Sequence, residues 1–250
     1  MNIYQHIDFT LLEPTTTESE IIDLCVEAKN FGFNSICINS CYVSIAKKLL
    51  KFTDVKVSTV IGYPLGAMAT ASKVYEAQKA LEDGADEINM VINLGYLKSE
   101  KYISMLQDIS KVKQAIGTTP LVVIIEISEL NKNEIIKACE LCLESKVDFI
   151  KTSTGFSKNG ATLTAVKMIK KTLKDQAKII ASGGIEDFET AIKYVEVGAD
   201  RVASSYISGL KKKSQQLRNK AIFEKYMENK KNNDLISEPQ GQIAYRKESR

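Results

Sequence analysis

The chain is expected to fold as a single α/β domain, a (β/α)8 TIM barrel, and three observations predict it. Short runs rich in β-branched residues alternate with longer amphipathic stretches along most of its 250 residues. Eight such runs are present, more than a doubly wound sheet usually needs. The glycine-rich turn Ser182-Gly183-Gly184 follows the seventh run. Barrels commonly place an anion site there, whereas a doubly wound sheet carries its phosphate turn early.

The first strand is expected over residues 6–10 and the first helix over 18–31, with Gly32 placed to end it. Strands over 35–39 and 55–62 bracket a helix over 41–51, and a helix over 70–83 leads through Gly84 to a strand over 87–92. A helix over 98–115 precedes the fifth strand, 121–127. The helix over 131–145 shows its period plainly, since Ile135, Ala138, Cys139 and Cys142 recur at the three-and-four spacing of one face. The sixth strand, 148–153, is followed by a helix over 161–174 for which Thr162 is a natural start. The seventh strand, 177–182, leads to a helix over 187–197 capped by Asp187, and Gly198 precedes the eighth strand, 200–204. No Pro/Gly/Ser-rich linker divides residues 1–210, so they read as one barrel. Composition changes afterwards: 212–230 reads as a basic helix and 231–250, with Pro239 and Gly241, as a loosely ordered end.

A hydrophobic content of 44% supplies a full core. No apolar run has the length needed to cross a bilayer, and Met1-Asn2-Ile3-Tyr4-Gln5-His6 lacks the features of a signal peptide, so a cytoplasmic location is expected. Five cysteines without a secretion signal read as free thiols. Cys139-x-x-Cys142 lies inside a helical pattern with no second pair, and His6 is the only histidine, so no metal site is expected. The net charge of +3 is uneven: residues 211–250 hold 11 Lys/Arg against 5 Asp/Glu, and the remainder 23 against 26. A solvated tail explains this better than a nucleic-acid contact, because aromatic interleaving and a recognised motif are missing.

Lys151 is the most informative residue. It stands in Phe149-Ile150-Lys151-Thr152-Ser153-Thr154-Gly155, where an apolar run turns into small hydroxyl residues and a glycine. A lysine inside such a strand is costly unless it is neutral or paired. A neutral lysine in a pocket is a nucleophile towards carbonyls. The plainer alternative is a lysine at a strand end whose amine reaches water. Phe149, Lys151 and Ser153 share the inward parity of the strand, and in a barrel the carboxyl end of that face meets the substrate.

The stretch 148–155 resembles the Schiff-base strand of deoxyribose-phosphate aldolases. The likeness runs in order over roughly residues 3–209. Ile7-Asp8-Phe9-Thr10-Leu11-Leu12 resembles the family's first strand, and the run from Val57 to Gly66 its third. The run from Gly84 to Asn93, then Val123-Ile124-Ile125-Glu126 and Ser182-Gly183-Gly184-Ile185, resemble the fourth strand, the fifth and the turn after the seventh. The resemblance implies reversible cleavage of 2-deoxy-D-ribose 5-phosphate, or a related sugar or aldehyde, to acetaldehyde and glyceraldehyde 3-phosphate. Lys151 would form the imine, and no metal or organic cofactor would be needed. It also implies a phosphate site at Gly155, Ser182, Gly183, Gly184 and Ser205. The partner is then a small phosphorylated or aldehyde substrate, not nucleic acid or membrane, and a homo-oligomer stays open.

Several positions depart from the family pattern. Its strand-seven lysine reads as Ile180, with Lys178 two residues deeper by about 6–7 Å. Its proton-relay aspartate reads as Asn89, an amide that can hold a water but cannot exchange a proton at neutral pH. Its strand-five lysine reads as Val122. Near the phosphate end, Ala203 replaces a glycine and Tyr206 a serine. The sequence thus leaves two alternatives beside the aldolase: a lysine-dependent lyase or condensing enzyme acting on another substrate, and a barrel without catalysis that binds or assembles. Tyr245 is the one residue of the tail that could stand for an aromatic group that reaches the active site in the family.

Overall fold

The computed structural model describes residues 1–205. Eight parallel strands close into a barrel in chain order: β1 (Ile7–Leu11), β2 (Ser35–Ile38), β3 (Lys56–Ile61), β4 (Glu87–Val91), β5 (Leu121–Ile124), β6 (Phe149–Lys151), β7 (Lys178–Ser182) and β8 (Arg201–Ser204). Closure is made by Ile7, Asp8 and Phe9 of β1 against Val202, Ala203 and Ser204 of β8. The helices between strands are α1 (Glu18–Phe31), α2 (Val43–Leu49), α3 (Thr70–Glu82), α4 (Leu94–Lys98), α5 (Tyr102–Ile116), α6 (Lys132–Glu144), α7 (Leu163–Leu173) and α8 (Phe188–Glu196). The expected barrel is therefore the observed one.

Local chemistry sets the helix ends. Thr17 with Glu20, and Asn131 with Glu134, form capping boxes that satisfy the first free amides of α1 and α6. Thr162 and Asp187 cap α7 and α8, as expected from their side chains. Gly32 closes α1 in the left-handed region at φ 66°.

Most boundaries fall within two residues of expectation, and three differences matter for the site. The helix anticipated over 98–115 starts later, as α5 at Tyr102, because Glu100 at φ 54° breaks the helical path, and a separate short α4 capped by Asn93 precedes it. The fifth strand stops at Ile124, not at 127, because Glu126 adopts φ 54° and leads into a 3-10 turn, Ile127–Glu129. The sixth pairs only over Phe149–Lys151, because the chain beyond Lys151 leaves the regular ladder. The basic helix and loose end expected over 212–250, and the roles of Tyr206 and Tyr245, lie outside the described residues.

The outer core lies between sheet and helices. Ile36, Ile88, Met90, Val123 and Ile150 on the strands are fully buried, as are Met105, Ile109 and Val112 of α5. Each buried branched side chain contributes about 1.5–3 kcal/mol. Cys139 and Cys142 belong to this layer, and all five cysteines are free thiols. Among the described residues, no helix is long and apolar enough to cross a membrane.

Inward-facing residues of alternate strands stack in layers, as barrel closure requires. The register places Ser35, Glu87, Phe149 and Arg201 at the bottom, then Asp8, Ser58, Val122 and Ile180, then Cys37, Asn89, Lys151 and Ala203. Half of the barrel floor is ionic: Arg201 meets Glu87 at 2.8 Å and Asp8 at 3.4 Å. The other half is apolar, with Val122, Ile180 and Ala203 packed against Phe149. Lys151 sits above the apolar half.

Candidate active site

Lys151 is the last residue of β6 and is only 3% exposed. Its backbone neighbours in register are Ile124 on β5 and Ile180 on β7. Its ammonium nitrogen has no hydrogen bond or ion pair with a described residue, and the side chain lines a pocket of about 150 Å³ at the carboxyl ends of the strands. Lys178 does not substitute for Ile180: it is exposed at the other end of β7, 5.6 Å from the Phe149 ring centre.

Six of the seven residues singled out from sequence come together. Lys151, Gly155, Ser182, Gly183, Gly184 and Ser205 all line this pocket. Gly183 and Gly184 have φ of 92° and 73°, which L side chains rarely adopt. Gly183 also crosses Gly160 so closely that a Cβ on Gly160 would stand 2.1 Å from the Gly183 carbonyl oxygen. The Ser182 hydroxyl is already engaged: it donates to the Ser153 carbonyl at 2.6 Å and accepts from the Ser153 amide at 3.0 Å. Ser182 therefore ties the ends of β6 and β7 together and keeps the turn beside Lys151.

Asn89 is the exception, because it is buried on β4 and is not part of the pocket wall. Its amide nitrogen donates to Ser58 Oγ at 2.5 Å and to the Thr59 carbonyl at 3.4 Å. Ser58 in turn donates to Glu87 Oε1 at 3.0 Å, which leaves its oxygen as an acceptor. Both partners of the Asn89 nitrogen are thus acceptors, so the amide has one orientation, and its Oδ1 accepts nothing from a described residue. Burial raises the Glu87 carboxyl above its ordinary range, against the lowering effect of Arg201. Cys37, in the same layer as Lys151, is likewise raised by burial, with the Lys151 charge opposing it.

Other pocket residues were missed in the sequence. Tyr63 lines the wall, and its hydroxyl donates to the Thr154 carbonyl at 2.6 Å. Glu126 bonds both the Thr154 amide, at 3.2 Å, and the Thr154 hydroxyl, and so orients that residue in the wall. Burial raises the Glu126 carboxyl, with the bonds from Thr154 opposing. Glu13 and Glu186 stand at the pocket's edge. Each of these is single and locally unremarkable in the chain, so only closure of the barrel reveals it.

A closed barrel with its pocket, the buried Lys151 amine and its glycine turn at the carboxyl ends of the strands has the layout of a (β/α)8 enzyme. The family is defined by comparison: a model described as DeoC/LacD family aldolase matches residues 4–214, and the chain belongs to that family. Deoxyribose-phosphate aldolase 1 of Mesoplasma florum is 47% identical over 205 residues, covering 82% of this chain and 93% of the relative. The deoxyribose-phosphate aldolase of Carboxydothermus hydrogenoformans is 50% identical over 207 residues, covering 81% and 91%. Among solved structures, the aldolase QR15 superposes with a TM-score of 0.80 at 40% identity, covering 88% of this chain and 98% of that one. The tetrameric deoxyribose phosphate aldolase of Aeropyrum pernix superposes with a TM-score of 0.74 at 29% identity, covering 81% and 86%.

Proposed function

We propose that the chain is a class I aldolase that reversibly cleaves 2-deoxy-D-ribose 5-phosphate to acetaldehyde and glyceraldehyde 3-phosphate. The observation that carries this reading is Lys151: a buried strand-end amine, unpartnered among the described residues and open to the pocket, in a chain about half identical to deoxyribose-phosphate aldolases. The Lys151 amine adds to the sugar aldehyde, and loss of water leaves a protonated imine. The hydroxyl on the third carbon gives up its proton and the bond between the second and third carbons breaks. Glyceraldehyde 3-phosphate departs, and the electron pair passes to the imine as an enamine. Protonation of the enamine and hydrolysis release acetaldehyde and the free amine.

In this reading the amides of Gly183 and Gly184, with Gly155 and Ser205, receive the phosphate. Asn89 is a positioning residue whose free Oδ1 holds a water that carries protons, because its own amide cannot. Homo-oligomeric assembly and a cytoplasmic location are part of the same proposal. A second reading, lysine chemistry on another carbonyl substrate, is favoured by one observation: Val122 and Ile180 make an apolar layer beneath the amine.

The test is borohydride reduction in the presence of acetaldehyde, followed by mass mapping. A label on Lys151, together with cleavage of 2-deoxyribose 5-phosphate, is the expected result. A label with no cleavage would favour the second reading, and no label, or one on Lys178, would end both.

A further inference from the structure

The pocket's charge does not suit the anion expected in it. Among the described residues of its wall, the carboxylates are Glu13 and Glu186 and the only cation is Lys151. Both glutamates are exposed, and neither side chain has an ion pair or hydrogen bond with a described residue. They come from the two strands that flank β8 in the closed barrel: Glu13 follows β1, and Glu186 follows the Ser182-Gly183-Gly184 turn after β7. The Glu13 charge reaches the pocket wall, since it is among the causes, after burial, that raise the Tyr63 phenol.

The helix N-terminus behind the turn is also occupied by acid. Asp187 caps α8, accepting from the Thr190 amide at 2.7 Å and from its hydroxyl at 2.8 Å. One of the amides that could face an anion is thereby used, and the positive end of the helix is partly offset. The rest of the wall is rich in hydroxyls, namely Thr10, Tyr63, Thr154, Ser204 and Ser205. Carboxylates and hydroxyls accept and donate to sugar hydroxyls, but a carboxylate repels a phosphate dianion.

We propose that Glu13 and Glu186 are specificity-determining residues that weaken the preference for a phosphorylated substrate. An uncharged 2-deoxy sugar or hydroxyaldehyde is then accepted on comparable terms. The inference rests on the aldolase reading and deepens it: Lys151 supplies the same chemistry, while the two glutamates set the charge of the substrate that reaches it. Repulsion between a carboxylate and a phosphate several ångströms away in hydrated surroundings changes binding by about five- to tenfold per carboxylate.

The experiment measures kcat/KM for 2-deoxyribose 5-phosphate and for 2-deoxyribose in wild type, Glu13→Gln, Glu186→Gln and the double variant. It is run at low salt and at about 0.5 M salt, where such repulsion is largely screened. In the double variant the phosphorylated-to-unphosphorylated ratio should rise by roughly 25-fold or more, chiefly through KM for the phosphorylated substrate. In wild type, salt should raise kcat/KM for the phosphorylated substrate. An unmoved ratio in all variants, or a wild-type value that falls with salt, overturns the proposal. Borohydride trapping with acetaldehyde accompanies each assay. A Lys151 label with an unmoved ratio overturns the charge inference alone, whereas no label and no turnover of either substrate overturns the aldolase reading and this inference with it.

Discussion

Lys73 and Lys151 are both nearly inaccessible to solvent, at 0% and 3% exposure, but their surroundings differ in kind. Lys73, on α3, donates to Asp108 Oδ2 of α5 at 2.6 Å and to the Val91 carbonyl at 3.0 Å. Thr70 donates to the other oxygen of Asp108 at 2.7 Å, so the carboxylate is fully engaged. Burial lowers the Lys73 pKa and Asp108 opposes that shift. Lys151 has no such partner among the described residues and opens into a pocket. A buried cation with a bonded carboxylate joins helices to the sheet. A buried amine without a partner is left for a ligand to use, and burial alone does not separate the two cases.

The strongest way to break this contrast is at Lys151. Lys151→Ala and Lys151→Arg should abolish borohydride trapping and reduce turnover by about 10⁴-fold or more, as removal of a nucleophile does. Lys151→Met should remain folded, with stability unchanged or raised by about 1 kcal/mol, because it removes a polar group that has no protein partner. Thermal unfolding together with trapping tests both halves, and a large loss of stability in Lys151→Met would mean that the amine has a structural partner after all.

Lys73→Met should do the reverse. It strands Asp108 in the interior and should cost about 3–5 kcal/mol, a fall in Tm of roughly 10 °C for a chain of this size. Trapping at Lys151 should persist in the folded fraction. Replacing both partners, Lys73→Met with Asp108→Leu, should recover most of the loss. Calorimetry of the single and double variants decides it: a single variant as stable as wild type would show that the pair is dispensable.

Two smaller tests sharpen the view of the site. Asn89→Asp combined with Ile180→Lys places an acid and a second amine near Lys151, and turnover on 2-deoxyribose 5-phosphate should rise about 10²-fold, the scale of a positioned acid–base group. Unchanged or lower turnover would show that another group already carries the proton. Ser58→Ala removes the acceptor that orients Asn89. It should reduce kcat a few-fold and stability by about 1 kcal/mol, since Glu87 loses a donor at the same time. If kcat and stability are both unmoved, the Asn89 orientation has no bearing on the reaction.

Much of the barrel was legible along the chain. Strand and helix periodicity, the helix starts at Thr162 and Asp187, and the glycine turn after β7 depend on residues a few positions apart, and such interactions are local. Lys151 stood out for the same reason, as a cation inside an apolar run. The short β5 was not visible, because Glu126 leaves the strand conformation to bond Thr154, 28 residues away. Nothing along the chain marks Lys73, since its partner Asp108 lies 35 residues on. Asn89 was known by position, but its orientation depends on Ser58 and Glu87 from two strands. The convergence of Glu13 and Glu186 on one pocket follows only when β8 closes on β1. Residue type and spacing along the chain decided which elements form and which amine is unusual. Closure of the barrel decided which buried charges are paired and what charge meets the substrate, because both depend on sums over groups far apart in sequence.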